Sequence, residues 1–333
     1  MVSIKDIARA ARVSHSTVSR ALRNSPLVNA KTGALIRKIA ADRGYTVSAV
    51  ARSLVTKRTR TIGVVVTTIA DPFAGAVVEG IEDAALANDY SVILAACQGE
   101  ADREARAVQS FHERRVDGIL VMASRIGAHY LPLLSEMRAP IVLINSHHPG
   151  DFVYSVRIDD RAAAQEATGH LIGLGHKRIA YIGDRNGFQS DAARLAGYRK
   201  ALEDGGVRFV RKLVQHEDAA AEGGRAAMRR LLTMAERPTG VFCYSDRLAL
   251  GAMRAARELG LSIPGDVSIV GFDDLFFAQY TEPPLTTIRQ PKREMGQQAT
   301  AILLAILSGE SPESKLTRGA LVVRESTGPP ALR

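Results

Sequence analysis

Short apolar runs alternate with amphipathic segments from Ile62 onward. The runs are rich in β-branched residues, and the segments between them repeat their apolar positions at helical spacing. This alternation is typical of βαβ units with parallel strands. Two such series predict an α/β core of two doubly wound lobes, with a ligand between the carboxyl ends of their strands. The expected strands are Thr61–Thr67, Ser91–Ala95, Gly118–Met122, Ile141–Ile144, Tyr154–Ile158, Arg178–Ile182, Lys212–Gln215, Gly240–Tyr244 and Val267–Gly271.

Two late apolar segments, Thr286–Arg289 and Gly319–Arg324, are expected to cross back between the lobes. Neither lobe is then contiguous in sequence. We predict that one lobe comprises about residues 61–159 and 290–318, and the other about residues 160–289 and 319–333.

The first 46 residues carry a different pattern, in which short helical stripes are separated by capping residues. Ser3 and Asp6 form a capping-box pattern before a first helix, and Ser14 can cap a second. Two short helices joined by a tight turn predict a helix-turn-helix. The apolar positions of these two helices are Ile4, Ile7, Ala8 and Ala11, followed by Val18, Ala21 and Leu22.

A third helix completes this small domain, with Asn29 able to cap its start and Gly44 able to end it. Its apolar stripe is predicted to contain Leu35, Ile36, Ile39 and Ala40. We therefore expect residues 1–46 to form a three-helix head.

The distribution of charge suggests what this head binds. Residues 1–60 contain 13 Lys and Arg but only two acidic residues, a net charge of +11. The rest of the chain contains 31 basic and 33 acidic residues, a net charge of −2. Such asymmetry favours a polyanion-binding head on an electrostatically ordinary body, although a solvated basic surface without a partner is the alternative.

The second helix contains the candidate DNA contacts. In a helix-turn-helix, the exposed residues of this helix face base edges in the major groove. Arg20 is the strongest candidate because a guanidinium can contact guanine through two hydrogen bonds. His15 and Ser16 are candidates too, unless they are merely solvated first-turn residues. The full set of candidates in the head is His15, Ser16, Thr17, Arg20 and Asn24.

Residues 47–60 contain the most specific segment of the chain. Ser48 can cap a helix from Ala49 to Leu54, which is too short to be stable in water and should fold only when it is bound. Residues 48–54, together with the opening residues 4–22, resemble the lactose-repressor (LacI/GalR) family of bacterial transcription regulators and its purine-repressor-like members.

The resemblance implies that residues 47–60 are a hinge helix and linker. Two such helices would pair in a dimer, with Leu54 wedged between base pairs in the minor groove and Ala51 close by. An apolar wedge kinks DNA at a cost that added protein contacts offset. The alternative for Leu54 is ordinary packing between domains. Lys57 and Arg58 are either phosphate contacts or part of a solvated tether.

The body resembles the periplasmic sugar-binding fold that serves as the effector core of the same family. The resemblance extends over essentially the whole chain through several ordered motifs. They are Asp71-Pro72-Phe73, residues 173–176, residues 194–198, Ser245-Asp246 with residues 249–252, residues 270–274 and residues 284–288.

The resemblance also implies an effector site. Phe73 would stack on the ligand, while Arg194 and Asp273 would hold it from opposite sides by charge-assisted hydrogen bonds. The alternatives without a ligand are a core position for Phe73 and an inter-lobe ion pair between Arg194 and Asp273. Weaker site candidates are Asn145, Phe188, Ser190 and Ser245. Asp246 is expected to cap the following helix, and Phe272 to lie in the core.

One loop departs from the family pattern. Where lactose- and purine-type members carry an aromatic residue, this chain has Asp218. Replacing a stacking ring with a carboxylate argues against a purine and favours a polyol or a sugar. His216 in the same loop is expected to be solvated.

Enzymatic chemistry lacks a recognisable motif. The chain contains no complete dinucleotide fingerprint, phosphate loop or nucleophile elbow. Cys97 and Cys243 are too far apart in sequence to suggest a metal motif, and they fit a reducing cytoplasm. His147 and His148 read as a surface turn. We expect no catalytic residue, metal or cofactor.

These patterns converge on a cytoplasmic, nucleoid-associated regulator and not an enzyme. We expect a homodimer without a membrane segment or a heptad tail, which binds a palindromic operator on double-stranded DNA. The resemblance makes repression the expected outcome and a sugar-like effector the expected switch. A purine-type co-repressor is the alternative, and a non-regulatory solute-binding protein is a more distant one. Dimer contacts are expected along the helix after Phe73.

Overall fold

The computed structural model describes residues 2–22, 24–45, 57–124, 139–146, 154–186 and 188–331. The chain divides into two compact units, Met1–Arg60 and Thr61–Arg333. The first unit is helical, whereas the second contains two parallel sheets. The predicted α/β fold class is confirmed.

The first unit contains three helices, α1 (Ile4–Ala11), α2 (His15–Leu22) and α3 (Ala30–Asp42). The predicted caps are present: the Ser3–Asp6 capping box starts α1, Ser14 accepts from the Thr17 amide, and Asn29 accepts from the Thr32 amide. Gly44 has a φ of 62°, a left-handed conformation that glycine adopts without strain after a helix. The core of the unit consists of Ile7, Ala8, Val18, Ala21, Ile36 and Ala40.

The predicted stripe of α3 was wrong at Leu35, which is 50% exposed. Leu35 lies about 100° of rotation from the fully buried Ile36 and still further from Gly33 and Ala40, so it points away from α1 and α2. The buried face runs instead through Gly33, Ile36 and Ala40. A glycine therefore occupies a position where periodicity alone predicts an apolar side chain.

The second unit contains twelve strands and seven longer helices within its described part. The strands are β1 (Thr61–Val66), β2 (Ser91–Ala96), β3 (Gly118–Met122), β4 (Ile141–Ile144), β5 (Tyr154–Ile158), β6 (Ile179–Asp184), β7 (Val214–Glu217), β8 (Gly240–Cys243), β9 (Ser268–Asp273), β10 (Thr286–Arg289), β11 (Lys315–Thr317) and β12 (Ala320–Val322). The helices are α4 (Pro72–Leu86), α5 (Ala101–Glu113), α6 (Asp160–Gly173), α7 (Gln189–Asp204), α8 (Ala221–Leu232), α9 (Asp246–Glu258) and α10 (Lys292–Leu307).

These strands form two six-stranded sheets, one in each lobe. Their orders are β11-β5-β4-β3-β1-β2 in the first lobe and β12-β10-β9-β8-β6-β7 in the second. All neighbours are parallel except β10 and β12. Each order reverses direction around its first strand, and in such sheets the carboxyl ends of the strands leave a crevice for ligands.

The chain crosses between the lobes three times, after β5, after β10 and between β11 and β12. The prediction that Thr286–Arg289 itself crosses was wrong, because this segment is an inner strand of the second sheet and the crossing follows at Gln290. Gly319–Arg324 likewise contains β12, and the crossing precedes it. The Lys212–Gln215 strand is displaced to Val214–Glu217 by a 3-10 turn at Arg211–Leu213.

Two glycines bring α10 against α4, the helix that carries Phe73. A Cβ atom at Gly80 would lie 2.0 Å from the Arg293 carbonyl oxygen, and one at Gly296 would lie 2.1 Å from the Val77 carbonyl oxygen. Only glycine permits such an approach, so the packing of α4 depends on these two positions. Within the described part of the chain, no helix is long and apolar enough to cross a membrane.

Candidate functional site

The amino-terminal half of α2 presents a polar surface. His15, Ser16 and Arg20 are exposed, while Thr17 is half-buried. The Ser14 hydroxyl lies 2.7 Å from that of Ser16 and 2.8 Å from that of Thr17. The helix thus offers hydroxyl groups at its start and a guanidinium one turn later, a combination that suits the edges of base pairs.

The remaining predicted DNA contacts have different surroundings. Asn24 follows α2 with a φ of 53°, and its Oδ1 accepts a hydrogen bond from Arg37. Lys57 and Arg58 are exposed in the segment before β1. Ala51 and Leu54 lie outside the described residues, so their minor-groove role remains a prediction from the sequence.

The second unit contains a cavity of about 520 Å³ between its two lobes. Every predicted effector residue lines it. All except Arg194, which lies in the second turn of α7, are placed by the end of a strand or the start of a helix, where parallel α/β folds gather polar side chains. The predicted effector residues are Phe73, Asn145, Phe188, Ser190, Arg194, Ser245 and Asp273. Their convergence on one cavity supports the location of the site.

Arg194 is held inside the second lobe by a buried ion pair. Its Nε donates to Asp160 Oδ1 at 2.7 Å and its Nη1 donates to the Tyr244 carbonyl oxygen. The guanidinium carbon lies 3.6 Å from the centroid of the Phe272 ring and 4.4 Å from that of Tyr244. The alternative of an inter-lobe ion pair with Asp273 is therefore wrong, because the partner of Arg194 is Asp160, at the start of α6 in the same lobe.

Burial raises the pKa of the Asp160 carboxyl above its ordinary value, and the adjacent Arg194 charge opposes that rise. The two groups depend on each other, since neither charge is solvated by bulk water. Sequence periodicity could not have identified this partner, because Asp160 and Arg194 meet only when α6 packs against α7.

Asp273 ends β9 and lies beside the point where the chain crosses between lobes. The Asp273 side-chain oxygen Oδ1 accepts a hydrogen bond from Gln290 Nε2 at 2.6 Å, and the Lys292 ammonium donates to the backbone carbonyl oxygen of Asp273. Burial raises the pKa of Asp273 well above its ordinary value, and the Arg194 charge opposes that rise. Gln290 also lines the cavity and was not among the predicted site residues.

The aromatic lining consists of Phe73, Phe188 and Tyr244. Phe73 is half-buried and packs on the first-lobe core while lining the cavity, so both of its predicted roles are compatible with its position. Tyr244 was missed, and its hydroxyl lies 2.9 Å from Ser190 Oγ. Its place directly after β8, before Ser245, is the signal that could have revealed it. Phe272 belongs to the core, as predicted.

The loop after β7 carries Asp218, which lines the cavity and accepts two hydrogen bonds from Arg185, at 2.6 and 2.5 Å. His216 is exposed, as expected, and its Nε2 lies 3.2 Å from Asp191 Oδ2. The proximity of β7 to the start of α7 brings this histidine and carboxylate together.

Asp246 does not cap α9, which corrects the sequence prediction. Ser245 is the N-cap residue, and its hydroxyl accepts from the Leu248 amide. Asp246 is fully buried, where it accepts from the Leu275 amide at 2.7 Å and from the Thr287 hydroxyl at 2.5 Å. Burial raises the pKa of Asp246 to about 7. Its role is to connect α9 to β10 beneath the cavity.

A residue from each lobe meets at the cavity wall. Asp71 Oδ1 accepts from the Phe73 amide, and its Oδ2 lies 3.8 Å from Arg247 Nη1 across the cleft.

Within the described ranges no three His, Cys, Asp or Glu side chains form a cluster that could hold a metal ion. Cys97 and Cys243 are both free and buried. His147 and His148 lie outside the described residues.

Comparisons with known proteins agree with this architecture. A model described as "Bacterial regulatory proteins, lacI family" matches residues 3–48, and one described as "Periplasmic binding protein-like domain" matches residues 168–327. The HTH-type transcriptional repressor CytR of Escherichia coli (strain K12) is 36% identical over 329 residues, which cover 98% of this chain and 96% of CytR.

Two solved structures are similar over nearly the whole chain. The lac repressor dimer bound to operator and the anti-inducer ONPF has a TM-score of 0.89 at 27% identity, covering 98% of this chain and 99% of the repressor. The transcriptional regulator CelR in complex with cellobiose has a TM-score of 0.75 at 31% identity, covering 98% of this chain and all of CelR.

Proposed function

We propose that this chain represses transcription from a palindromic operator and that a small effector switches its affinity for that operator. The premise is that the chain belongs to the lacI family of bacterial regulatory proteins and is a DNA-binding transcription regulator. The observation that carries this proposal is the presence in one chain of a basic three-helix head and a two-lobed unit with a polar cavity.

Arg20 is the residue on which we base the readout of operator sequence. Its guanidinium is exposed on the polar face of α2, and a bidentate contact to guanine contributes about 1–3 kcal/mol of discrimination. Arg20→Ala is therefore expected to relax the preference at one base pair in each half-site. The measurement is affinity for single-base variants of the duplex that the wild-type protein selects from a randomised pool.

Arg9→Ala provides a charge-matched control, because Arg9 is 82% exposed on α1 and pairs with Asp6 at 3.5 Å. This control should leave the base preference unchanged. If Arg20→Ala instead weakens binding equally for all sequences and lowers the salt slope, Arg20 is a phosphate contact. Relaxation at mirrored positions would also support a dimer on a palindrome.

The chemistry of the cavity favours an uncharged effector rich in hydroxyl groups. Both arginines that line the described cavity face a carboxylate, Arg194 that of Asp160 and Arg247 that of Asp71. In contrast, Asn145 Oδ1 and Gln290 Oε1 are buried acceptors without a hydrogen-bond partner. Buried acceptors gain most from a ligand that donates hydrogen bonds.

The lining also contains an excess of carboxylates, namely Asp71, Asp184, Asp218 and Asp273. Asp71 and Asp218 are already matched by Arg247 and Arg185, so an anionic ligand would find no unpaired arginine among the described lining residues. A sugar or polyol fits both conditions, and its C–H faces suit Phe73 and Tyr244. Cellobiose, the ligand named with the similar CelR structure, is uncharged in the same way.

A thermal-unfolding series on the full chain tests this effector class. Each neutral compound is paired with its own anion: ribose with ribose 5-phosphate, and glucose with glucuronate and glucose 6-phosphate. Purines and cellobiose complete the panel. A ligand at 100 times its Kd stabilises by about 2.7 kcal/mol, enough to raise Tm by several degrees. We expect a neutral sugar or polyol to stabilise and its anion not to. A shift with purines alone would support the co-repressor alternative.

Dimerisation is supported by apolar side chains at the surface of the first lobe. Leu86 at the end of α4 is 74% exposed, and Ile93 and Leu94 are exposed on the edge strand β2. Successive residues of a strand face opposite sides, so these three side chains mark the exposed β2 edge of the lobe and not one continuous patch. We assign this surface to contact with a second copy of the chain.

Operator binding places the protein with chromosomal DNA, in the cytoplasm at the nucleoid.

A further inference from the structure

Helix α3 contains a glycine in its interior, at Gly33, where alanine would be more favourable for the helix. A Cβ atom at this position would lie 3.3 Å from Arg37 Nη1 and 3.5 Å from Nη2. The guanidinium of Arg37, one turn later, therefore lies over Gly33. A methyl group at Gly33 would require this flexible, exposed guanidinium to shift by only a few tenths of an ångström.

Arg37 joins α3 to the carboxyl end of α2. Its Nη1 donates to the Ala21 carbonyl oxygen at 3.3 Å and to Asn24 Oδ1 at 2.9 Å. The last carbonyl groups of a helix lack partners within the helix, and a positive charge near them is favourable. Arg37 thus stabilises the end of the helix that carries Arg20.

The same contact determines how the Asn24 amide is oriented. Asn24 is exposed, and its backbone has the left-handed conformation. Its backbone amide donates a hydrogen bond to the Ala21 carbonyl oxygen at 3.1 Å. A guanidinium carries only donors, so it must face the oxygen of the side-chain amide. The NH₂ group of Asn24 is then the half directed away from Arg37, where it can donate to a phosphate or base acceptor.

We propose that Arg37 is a positioning residue for DNA recognition. It orients the Asn24 amide and holds the end of α2 without itself touching DNA. This inference rests on the proposed DNA-binding function.

A double-mutant cycle on the full chain tests the proposal, with the duplex that the wild-type protein selects from a randomised pool as the probe. Arg37→Ala should lower affinity about tenfold in the wild-type background and less than twofold in the Asn24→Ala background. The slope of log affinity against log salt should be the same as for the wild type. Lys38→Ala is the matched control, since it removes a charge from the next exposed position of α3.

Two further variants separate the positioning role from folding. Gly33→Ala should raise the Tm of the head, because alanine favours the helix, and leave DNA affinity unchanged, because the exposed Arg37 guanidinium needs to shift by only a few tenths of an ångström. Asn24→Asp should keep the contact with Arg37 and the Tm, but lose affinity because a carboxylate cannot donate.

Equal losses from Arg37→Ala in both backgrounds, with a salt slope reduced by about 0.9, would make Arg37 a phosphate contact and overturn the proposal. Wild-type affinity in the Arg37→Ala variant would also overturn it. If the wild-type protein selects no duplex, the proposed function fails as well. Selection by the wild type with equal losses contradicts only the role of Arg37.

Discussion

Arg194→Ala is expected to abolish the response to effector and to lower the free energy of unfolding of the effector unit by about 3–5 kcal/mol. Arg194 is 3% exposed, and its removal leaves the Asp160 carboxylate buried without its cation. The variant also removes the group that stacks on Phe272 and Tyr244 beside the cavity. Operator binding should persist, because the head is a separate compact unit.

A second substitution distinguishes the two effects. Asp160→Asn in the Arg194→Ala background replaces the stranded charge with a neutral amide, so it should restore much of the stability but not the effector response. Thermal and urea unfolding measure the stability, and effector-dependent release of operator DNA measures the effector response.

Arg199→Ala is the control, since Arg199 is exposed on the same helix with its guanidinium carbon 4.8 Å from the centroid of the Phe209 ring. Release of DNA by Arg194→Ala at the wild-type effector concentration would mean that the effector site lies elsewhere.

Leu54→Ala is expected to weaken operator binding by about 2–4 kcal/mol, the scale of a wedge that kinks DNA between base steps. Effector affinity should be unchanged, since the cavity residues belong to the second unit. Leu54 lies outside the described residues, and the prediction follows from the resemblance of residues 48–54 to a hinge helix. The short hinge helix is expected to fold only on DNA. Loss of the Leu54 contact with DNA therefore also removes part of the free energy that favours folding of this helix.

Affinity and DNA bending should be measured together on the selected duplex. Leu54→Met keeps an apolar wedge of similar size and should preserve most of the affinity and the bend. Leu54→Ala should lose both. Wild-type affinity in the alanine variant would show that Leu54 packs between protein domains, the alternative reading of this residue.

Prediction from sequence succeeded where local rules apply. The caps at Ser3, Ser14 and Asn29 depend on residues at most three positions away, and all three are present. Alternation of apolar runs with helices likewise revealed the parallel sheets, because each βαβ unit repeats its own pattern. The seven effector candidates line one cavity because motif residues follow strand ends, which parallel folds place at one edge.

Prediction failed where a side chain meets a partner distant in sequence. Asp246 looked like a helix cap but accepts from Thr287, 41 residues later. The alternative pairing of Arg194 with Asp273 was also wrong, because the partner of Arg194 is Asp160. Neither contact has a signature in spacing, since it depends on how separate elements pack.

The sequence by itself determined the basic head, the two-lobed α/β core and the family, because charge, periodicity and ordered motifs are properties of the chain read in order. Tertiary structure alone decided the partners: Asp160 for Arg194, Gln290 for Asp273 and Arg37 for Asn24. The physical reason is that burial makes an unpaired polar group costly, so the packed neighbours decide which groups pair and which remain available to a ligand or to DNA.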